Sequence, residues 1–446
     1  MSQWSFLQGA QGAQGAQGAQ GAQGAQGAQG AQGAQGAALS DPAASLTPGA
    51  NAAFAWGLVS SREALQRDPV APILIMKGSF NSPADDGLPD PDDPARLEQW
   101  SNDIRFENLF AELFAPVVLS AHSIDIPRSV AGTASSVGRK AHSFKIRHRA
   151  DFLAGKQKLH PIAEIIRPPR AVFTAQTNSV HQAADLRPER LNEIITQIGI
   201  PMQYWATVLD LNPINHRYTL ELVGLSLSFA SYVNQPAKHY LACPRPSAYS
   251  PGIQPVINAR RFAAFPSGHA TEAFLIARLL QVVSGSPRLE PRGMGPSAVE
   301  QQLQRLATRI ANNRVVAGVH FPIDSVAGRM LGETLAGYVE FRCNAAKDAK
   351  PGWVPHTFDG TKTVKFSSDG LSDKDQPIDH VAMGLFDPHE PLNAKAIVPP
   401  NSSKLPPYFH ANKGKLEDPR RPTGLAAGSS AGLLADLWSR ATQEWQ

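Results

Sequence analysis

The stretch NRVVAGVHFPIDS, residues 313–325, decides the fold. It reads as helix, turn, helix. Arg314 falls in the last turn of one helix, Gly318 permits the reversal, and Pro322 opens the next helix at a first-turn position. His320 lies in the junction, and Asp324 follows four residues later, near enough to accept the Nδ1 proton of His320. That contact would leave Nε2 with its lone pair, the state a nucleophile or metal ligand requires. The plainer role for Asp324 is a first-turn carboxylate offsetting the helix dipole.

Helical periodicity extends on both sides of this junction. Val299, Leu303, Leu306 and Ile310 form an apolar face before it, and another helix covers roughly Ile323 to Phe341 after it. Upstream, Ala273, Ile276, Leu279 and Leu280 give a further face. Leu220, Leu222, Leu225, Leu227 and Phe229 mark a more uniformly apolar, buried helix, and Leu191, Ile194, Ile195 and Ile198 begin the first. Pro236, Pro266 and Pro322 are expected between these segments, where helices end. The predicted fold class is all-α: a helical bundle over residues 188–345. Residues 50–187 are expected to be a helical and loop region packed on that core. Residues 346–446, rich in Pro, Gly and Asp, are expected to be an irregular extension ending in a short helix near 430–444.

Residues 1–49 read differently. Residues 8–37 are ten consecutive copies of Gln-Gly-Ala, and the first charged residue is Asp41. Glycine at every third position mimics the collagen period, but no proline pre-sets the extended helix. Each glycine also costs an α-helix about 1 kcal/mol relative to alanine. A disordered tail is the expectation. Residues 81–95, NSPADDGLPDPDDPA, are acidic and proline-broken; they lack calcium-loop spacing and read as a solvated loop.

Composition excludes several classes. The 446 residues can bury a sizeable core, the formal charge is only +4, and charged residues make up 18%. There is no concentrated basic footprint for nucleic acid. Residues 139–170 hold nine Lys or Arg, read as a solvated basic face with anion steering as the alternative. Two cysteines, Cys243 and Cys343, make no disulfide framework. The amino terminus lacks the pattern of a secretory signal, and no apolar run reaches the roughly 18 residues of a membrane span. A soluble protein acting on small molecules is expected. Nothing in the sequence fixes the oligomeric state, and a homo-oligomer is compatible with it.

Two further blocks precede the junction. Lys238 and Arg245 are seven residues apart, but Pro244 and Pro246 forbid a continuous helix. Lys238 is therefore expected at a helix end and Arg245 in the extended turn after it. Pro266-Ser267-Gly268-His269 opens an apolar helix, whose unpaired N–H groups and positive dipole end favour anions. Ser267 adds a hydroxyl, Gly268 lets the backbone approach, and His269 is placed to move a proton. Together, Lys238, Arg245, Ser267, Gly268 and Arg314 suit a tetrahedral oxyanion, whose two to three charges three fixed cations would roughly neutralise.

The order Lys-x6-Arg-Pro, Pro-Ser-Gly-His, Arg-x5-His-x3-Asp resembles the type 2 phosphatidic acid phosphatase and vanadium haloperoxidase superfamily, over about residues 238–324. One departure is Asn313, where the family usually has Ser. The resemblance implies an α-helical bundle and two chemistries in one pocket. In one, a soluble haloperoxidase-like enzyme, His320 holds the vanadium of vanadate and halide is oxidised with hydrogen peroxide; Lys238, His269 and Asp324 complete the catalytic set. Phe262, seven residues before His269, matches the halide-pocket position at which chloroperoxidase-like members carry Phe. In the other, a phosphomonoesterase, phosphate belongs to the substrate and no cofactor is needed. His320 attacks phosphorus, His269 protonates the leaving oxygen, and the Ser267 and Gly268 amides join the three cations around the developing charge. The chain length and Phe262 favour the vanadium enzyme; Gln235, where some fungal members place an aromatic near the halide, opposes it.

Three other readings follow from the residues. Thirteen histidines raise zinc, but no two sit at a spacing such as His-x3-His. A phosphate-binding protein without turnover would need neither His269 nor His320. Cys243 lacks a positioned base and is expected to pack beside its loop.

Overall fold

The computed structural model describes residues 94–126, 139–150, 158–258, 262–285, 298–343, 355–361, 363–364, 376–377, 409–411 and 432–446. All of them lie in the unit Asp92–Gln446. The Gln-Gly-Ala tail, the acidic loop up to residue 93 and most of residues 346–446 lie outside them.

A 3-10 turn at Pro94–Gln99 precedes α1 (Asn102–Phe114). Three strands follow: β1 (Val117–Ile126), β2 (Arg139–Ala150) and β3 (Lys158–Ile166). Short helices α2 (Arg170–Ala175) and α3 (Thr177–Ala183) lead to α4 (Arg187–Thr196) and α5 (Met202–Leu209). The long helices are α6 (Arg217–Leu241), α7 (Gly268–Val283), α8 (Ala298–Val316) and α9 (Pro322–Cys343). Strands β4 (His356–Asp359), β5 (Thr363–Val364), β6 (Gln376–Pro377) and β7 (Phe409–Ala411) precede α10 (Leu433–Gln443).

The all-α expectation is overturned. A five-stranded mixed sheet, order β1-β2-β3-β4-β7, stands beside the helices. Residues 117–166, expected to be helix and loop, supply three of its strands, and β4 joins β3 in parallel register. The cause is a period of two within the basic run. Phe144, Ile146 and His148 are buried, whereas Lys145, Arg147 and Arg149 point outward. The charges that read as a solvated face are the outer half of a strand. The inner half packs on the bundle: Phe144 meets Tyr240 of α6, and His148 bonds the Tyr338 hydroxyl of α9 at 2.8 Å.

Two helical expectations also change. Pro236 lies inside α6 rather than between helices. It forfeits one helical hydrogen bond, but α6 buries residues from Thr219 to Leu241, and that packing carries the helix past it. On α4, only Ile194 of the expected face is buried; Leu191, Ile195 and Ile198 are 40%, 50% and 45% exposed. The buried stripe is instead Arg190, Glu193 (partly), Ile194 and Gln197, with helical spacing. It is polar because it faces Asn313 and Arg314 at the end of α8.

The centre of the bundle is the contact of α7 with α9. A Cβ at Gly328 would stand 2.6 Å from the Ser267 carbonyl oxygen, and one at Gly332 would collide with that of Thr271. Only glycine lets these backbones touch, and the contact brings the start of α7 against Asp324. At the other end of α6, the Glu444 carboxylate accepts from the amides of Tyr218 and Thr219 at 2.7 and 2.8 Å, capping the helix N-terminus after α10.

Candidate active site

The site is assembled where the end of α6, the start of α7 and the α8–α9 junction meet. Lys238 occupies the last turn of α6 and is buried. Its Nζ donates to the carbonyls of Ala264 at 2.8 Å and Ala263 at 3.3 Å. The helix stops at Ala242, which adopts a left-handed φ of 49°. Arg245 follows in extended conformation, between the two prolines. Its Nη1 donates to the Val319 carbonyl at 2.7 Å and reaches His320 Nε2 at 2.9 Å, while its Nε donates to the Phe262 carbonyl at 3.1 Å.

Ser267 is the N-cap of α7, its Oγ accepting from the Ala270 amide at 3.4 Å. The Ser267 amide itself is committed to the Asp324 carbonyl at 2.9 Å. The expectation that this amide faces a bound anion is therefore corrected. Gly268 and His269 are the first residues of the helix, where amides have no partner one turn back. Thr271 ties the first turn down, donating its hydroxyl to the Ser267 carbonyl at 2.9 Å, and Asn234 of α6 donates to Thr271 at 3.2 Å.

At the third block, Gly318 takes a φ of 78°, the left-handed conformation that turns α8 back toward α9. His320 Nδ1 stands 3.0 Å from Asp324 Oδ2, which also accepts the Phe321 amide at 2.9 Å. The Gln176 side chain accepts the Ile323 amide at 3.0 Å, holding the first turn of α9. The His320 tautomer follows from both ring contacts. Asp324 is an acceptor, so Nδ1 carries the proton; Arg245 can only donate, so Nε2 carries the lone pair. Burial, then the cations Arg245 and Lys238, hold the His320 imidazole well below its ordinary pKa. Burial raises the Asp324 carboxyl, opposed by the Phe321 amide and the same two cations.

His269 is half-buried, and its Nε2 lies 3.1 Å from the Gln197 carbonyl and 3.3 Å from that of Ile198. Carbonyls only accept, so Nε2 bears the proton and Nδ1 the lone pair. Burial and the Arg314 charge lower its pKa to about 3, so the imidazole is neutral. Arg314 is buried and donates from Nη2 to the Ile194 carbonyl at 3.0 Å and to Gln197 Oε1 at 3.4 Å. Its Nε and Nη1 meet no acceptor among the described residues. Burial lowers its pKa only to about 10, leaving it charged at neutral pH.

Phe262 is 38% exposed and lies over both cations, 5.5 Å from Lys238 Nζ and 5.0 Å from Arg245 Cζ. Cys243 is buried, and burial pushes its thiol well above its ordinary pKa, which removes the thiolate a nucleophile needs. Among the described residues no cluster of three His, Cys, Asp or Glu could hold a metal ion.

The sequence reading did not find Gln197, Asn234, Thr271 or Gln176. For Gln197 a signal existed: Arg190, Glu193, Ile194 and Gln197 fall on one helical face, and a buried polar stripe signals a partner with polar atoms. Asn313, standing where Ser is usual, donates to Glu193 Oε2 and Gln197 Oε1, each at 2.9 Å. The longer side chain bridges α8 to α4.

The family model of the PAP2 superfamily matches residues 220–345, which include all three sequence blocks. Among solved structures, the chain is similar to a transmembrane PAP2 type phosphatidylglycerolphosphate phosphatase from Bacillus subtilis, at 23% identity over 38% of this chain and 84% of that one, with a TM-score of 0.29. No curated protein matches the chain. No helix among the described residues is long and apolar enough to cross a membrane.

Proposed function

We propose, from the premise that the chain belongs to the PAP2 superfamily through residues 220–345, that it hydrolyses a phosphoric ester through a phosphohistidine at His320. The observation that carries this reading is the pairing of a fixed Nε2 lone pair on His320 with buried donors on Arg314 that meet no acceptor among the described residues. A tetrahedral dianion satisfies both at once. It supplies oxygens for Arg314 Nε and Nη1, and an electrophilic centre for Nε2.

Binding comes first. Burial and Arg245 hold the Lys238 ammonium down to about 7, with Asp324 and Glu272 opposing them; a bound dianion stabilises its charged form alongside Arg245 and Arg314. Its oxygens compete for the Arg245 Nη1 proton that His320 Nε2 otherwise accepts, freeing the lone pair. The same negative charge raises the depressed pKa of His269, which takes a proton on Nδ1 while Nε2–H stays on the Gln197 and Ile198 carbonyls. The His320 Nε2–phosphorus bond then forms, the ester P–O bond breaks, and the departing oxygen takes the Nδ1 proton of His269. Asp324 holds the Nδ1 proton of His320 and stabilises the positive charge developing on that ring. In the second half, water gives a proton to His269 Nδ1 and attacks phosphorus. His320 leaves and inorganic phosphate is released.

A second reading, a vanadium-dependent haloperoxidase, draws support from Phe262, whose ring covers Lys238 and Arg245 at a half-exposed edge. Vanadate has the shape and charge of phosphate, so the unpaired Arg314 donors fit it equally well. His320 Nε2 would be its protein ligand, and Lys238, Arg245 and Arg314 would neutralise it. Bound vanadate would supply activation of hydrogen peroxide for attack by halide. Phe262 would then give that halide an apolar edge beside two cations.

A paired assay on the purified chain separates the readings. Turnover of p-nitrophenyl phosphate without vanadate, inhibited by orthovanadate, supports the hydrolase. Bromination of a phenol reporter that requires vanadate and peroxide, with no phosphoester turnover, replaces it with the peroxidase.

A further inference from the structure

We infer that Gln197, outside every sequence block and outside the segment matched by the family, is an additional donor to the bound oxyanion. Three observations lead there. Gln197 is fully buried at the C-cap of α4. Its Oε1 accepts from Asn313 Nδ2 at 2.9 Å and from Arg314 Nη2 at 3.4 Å. Its Nε2 has no acceptor among the described residues.

The amide orientation follows from its partners. Asn313 Nδ2 and Arg314 Nη2 can only donate, so a flip would set a donor against two donors. The Nε2 protons are thus held away from Asn313 and Arg314 on the other side of the amide, and a buried donor needs an acceptor. Arg314 leaves Nε and Nη1 in the same condition on the adjoining side chain. Three buried donor atoms on two hydrogen-bonded side chains thus lack a partner among the described residues, and a tetrahedral oxyanion offers several oxygens to meet them.

The same residue touches the proton carrier, because the Gln197 carbonyl accepts from His269 Nε2 at 3.1 Å. Gln197 therefore links Arg314 to His269. The stripe behind it is locked: Arg309 forms a two-pronged pair with Glu193 at 2.6 and 2.8 Å, and Glu193 holds Asn313. Asn313 in place of Ser is what reaches Gln197, so the departure from the family pattern and the extra donor belong to one arrangement.

The inference rests on the reading of this site as an oxyanion pocket. Its test is a crystal structure of the full, unmodified chain soaked with orthovanadate. The expected result is an anion oxygen within about 3.2 Å of Gln197 Nε2, with others on Arg314. An anion held by Arg314 and His320 whose nearest oxygen stands beyond about 4 Å from that nitrogen overturns the role of Gln197 alone. An anion that avoids Arg314 and His320 overturns the pocket reading as well. In solution, Gln197→Glu keeps the acceptor for Asn313 and Arg314 but removes the donor. Orthovanadate should bind it at least about tenfold more weakly than the unmodified chain, and the deficit should shrink as pH falls and the new carboxyl regains a proton. Affinity equal to that of the unmodified chain at every pH contradicts the inference.

Discussion

The guanidinium Nη1 of Arg245 lies 2.9 Å from Nε2 of His320, whose opposite nitrogen is held by Asp324 at 3.0 Å. One ring is thereby fixed in tautomer and orientation by a cation on one side and an anion on the other. Nothing can bond to Nε2 until Arg245 turns its proton to another acceptor. In the proposed hydrolase an incoming oxyanion supplies that acceptor, so that binding and nucleophile release would be one event.

Arg314→Ala removes a buried cation with two donors that meet no acceptor among the described residues. Orthovanadate and phosphate should bind roughly ten- to a hundredfold more weakly, corresponding to about 1.5–3 kcal/mol for charge-assisted hydrogen bonds. Isothermal titration checks this, and an unchanged dissociation constant would remove Arg314 from the pocket.

Asp324→Asn keeps the shape but removes the charge that holds the Nδ1 proton of His320. Turnover should fall by on the order of 10²–10⁴, the range over which positioned proton partners contribute. Ground-state orthovanadate affinity should change far less than turnover. Steady-state kinetics beside an orthovanadate titration give the comparison.

Acid should destabilise the fold through its buried, neutral histidines. Burial lowers His148 and His269 to about 3, and His320 is also depressed. An unfolded chain binds these protons near pH 6.5 and the folded one does not. Their stability contribution is therefore intact above about 6.5 and is lost as pH falls toward the folded values. Each group adds about 1.4 kcal/mol per pH unit to that slope. Urea unfolding between pH 6.5 and 4 should show His148→Gln losing about one such increment; an unaltered slope would contradict the neutral, buried state of His148.

Gly332→Ala places a methyl group against the Thr271 carbonyl, where α7 and α9 touch. Overpacking of this kind costs typically about 1–3 kcal/mol. Because the same contact sets Ser267 against Asp324, turnover should fall together with thermal stability. Gly337→Ala, on the same helix with open space around the position, should leave turnover unchanged and raise stability by up to about 1 kcal/mol, and differential scanning calorimetry with an activity assay compares the pair.

Much of the site was readable because its chemistry is local. Pro322 and Gly318 fix a turn, Ser267 caps a helix, and His320 with Asp324 spans one helical turn, all within a few residues. The sheet was missed because the charges of Lys145, Arg147 and Arg149 drew attention from the alternation that Phe144, Ile146 and His148 complete. Gln197 was missed for a related reason. Apolar Leu191, Ile195 and Ile198 suggested a buried face, but what α4 packs against is the polar end of α8, some 120 residues away in sequence. Polar burial depends on a partner, and one helix read alone does not show it. Pro236 misled because a buried flank can carry a helix through a missing hydrogen bond.

The proposed hydrolysis stands or falls on a covalent bond between phosphorus and His320 Nε2. Rapid acid-free quenching during p-nitrophenyl phosphate turnover, followed by peptide mapping in base, measures it directly. Phosphate is expected on His320 alone, stable to base and lost in mild acid, and absent from Asp324-intact His320→Ala protein. Turnover with no phosphorylated histidine at any time, or phosphate on another residue, would contradict it.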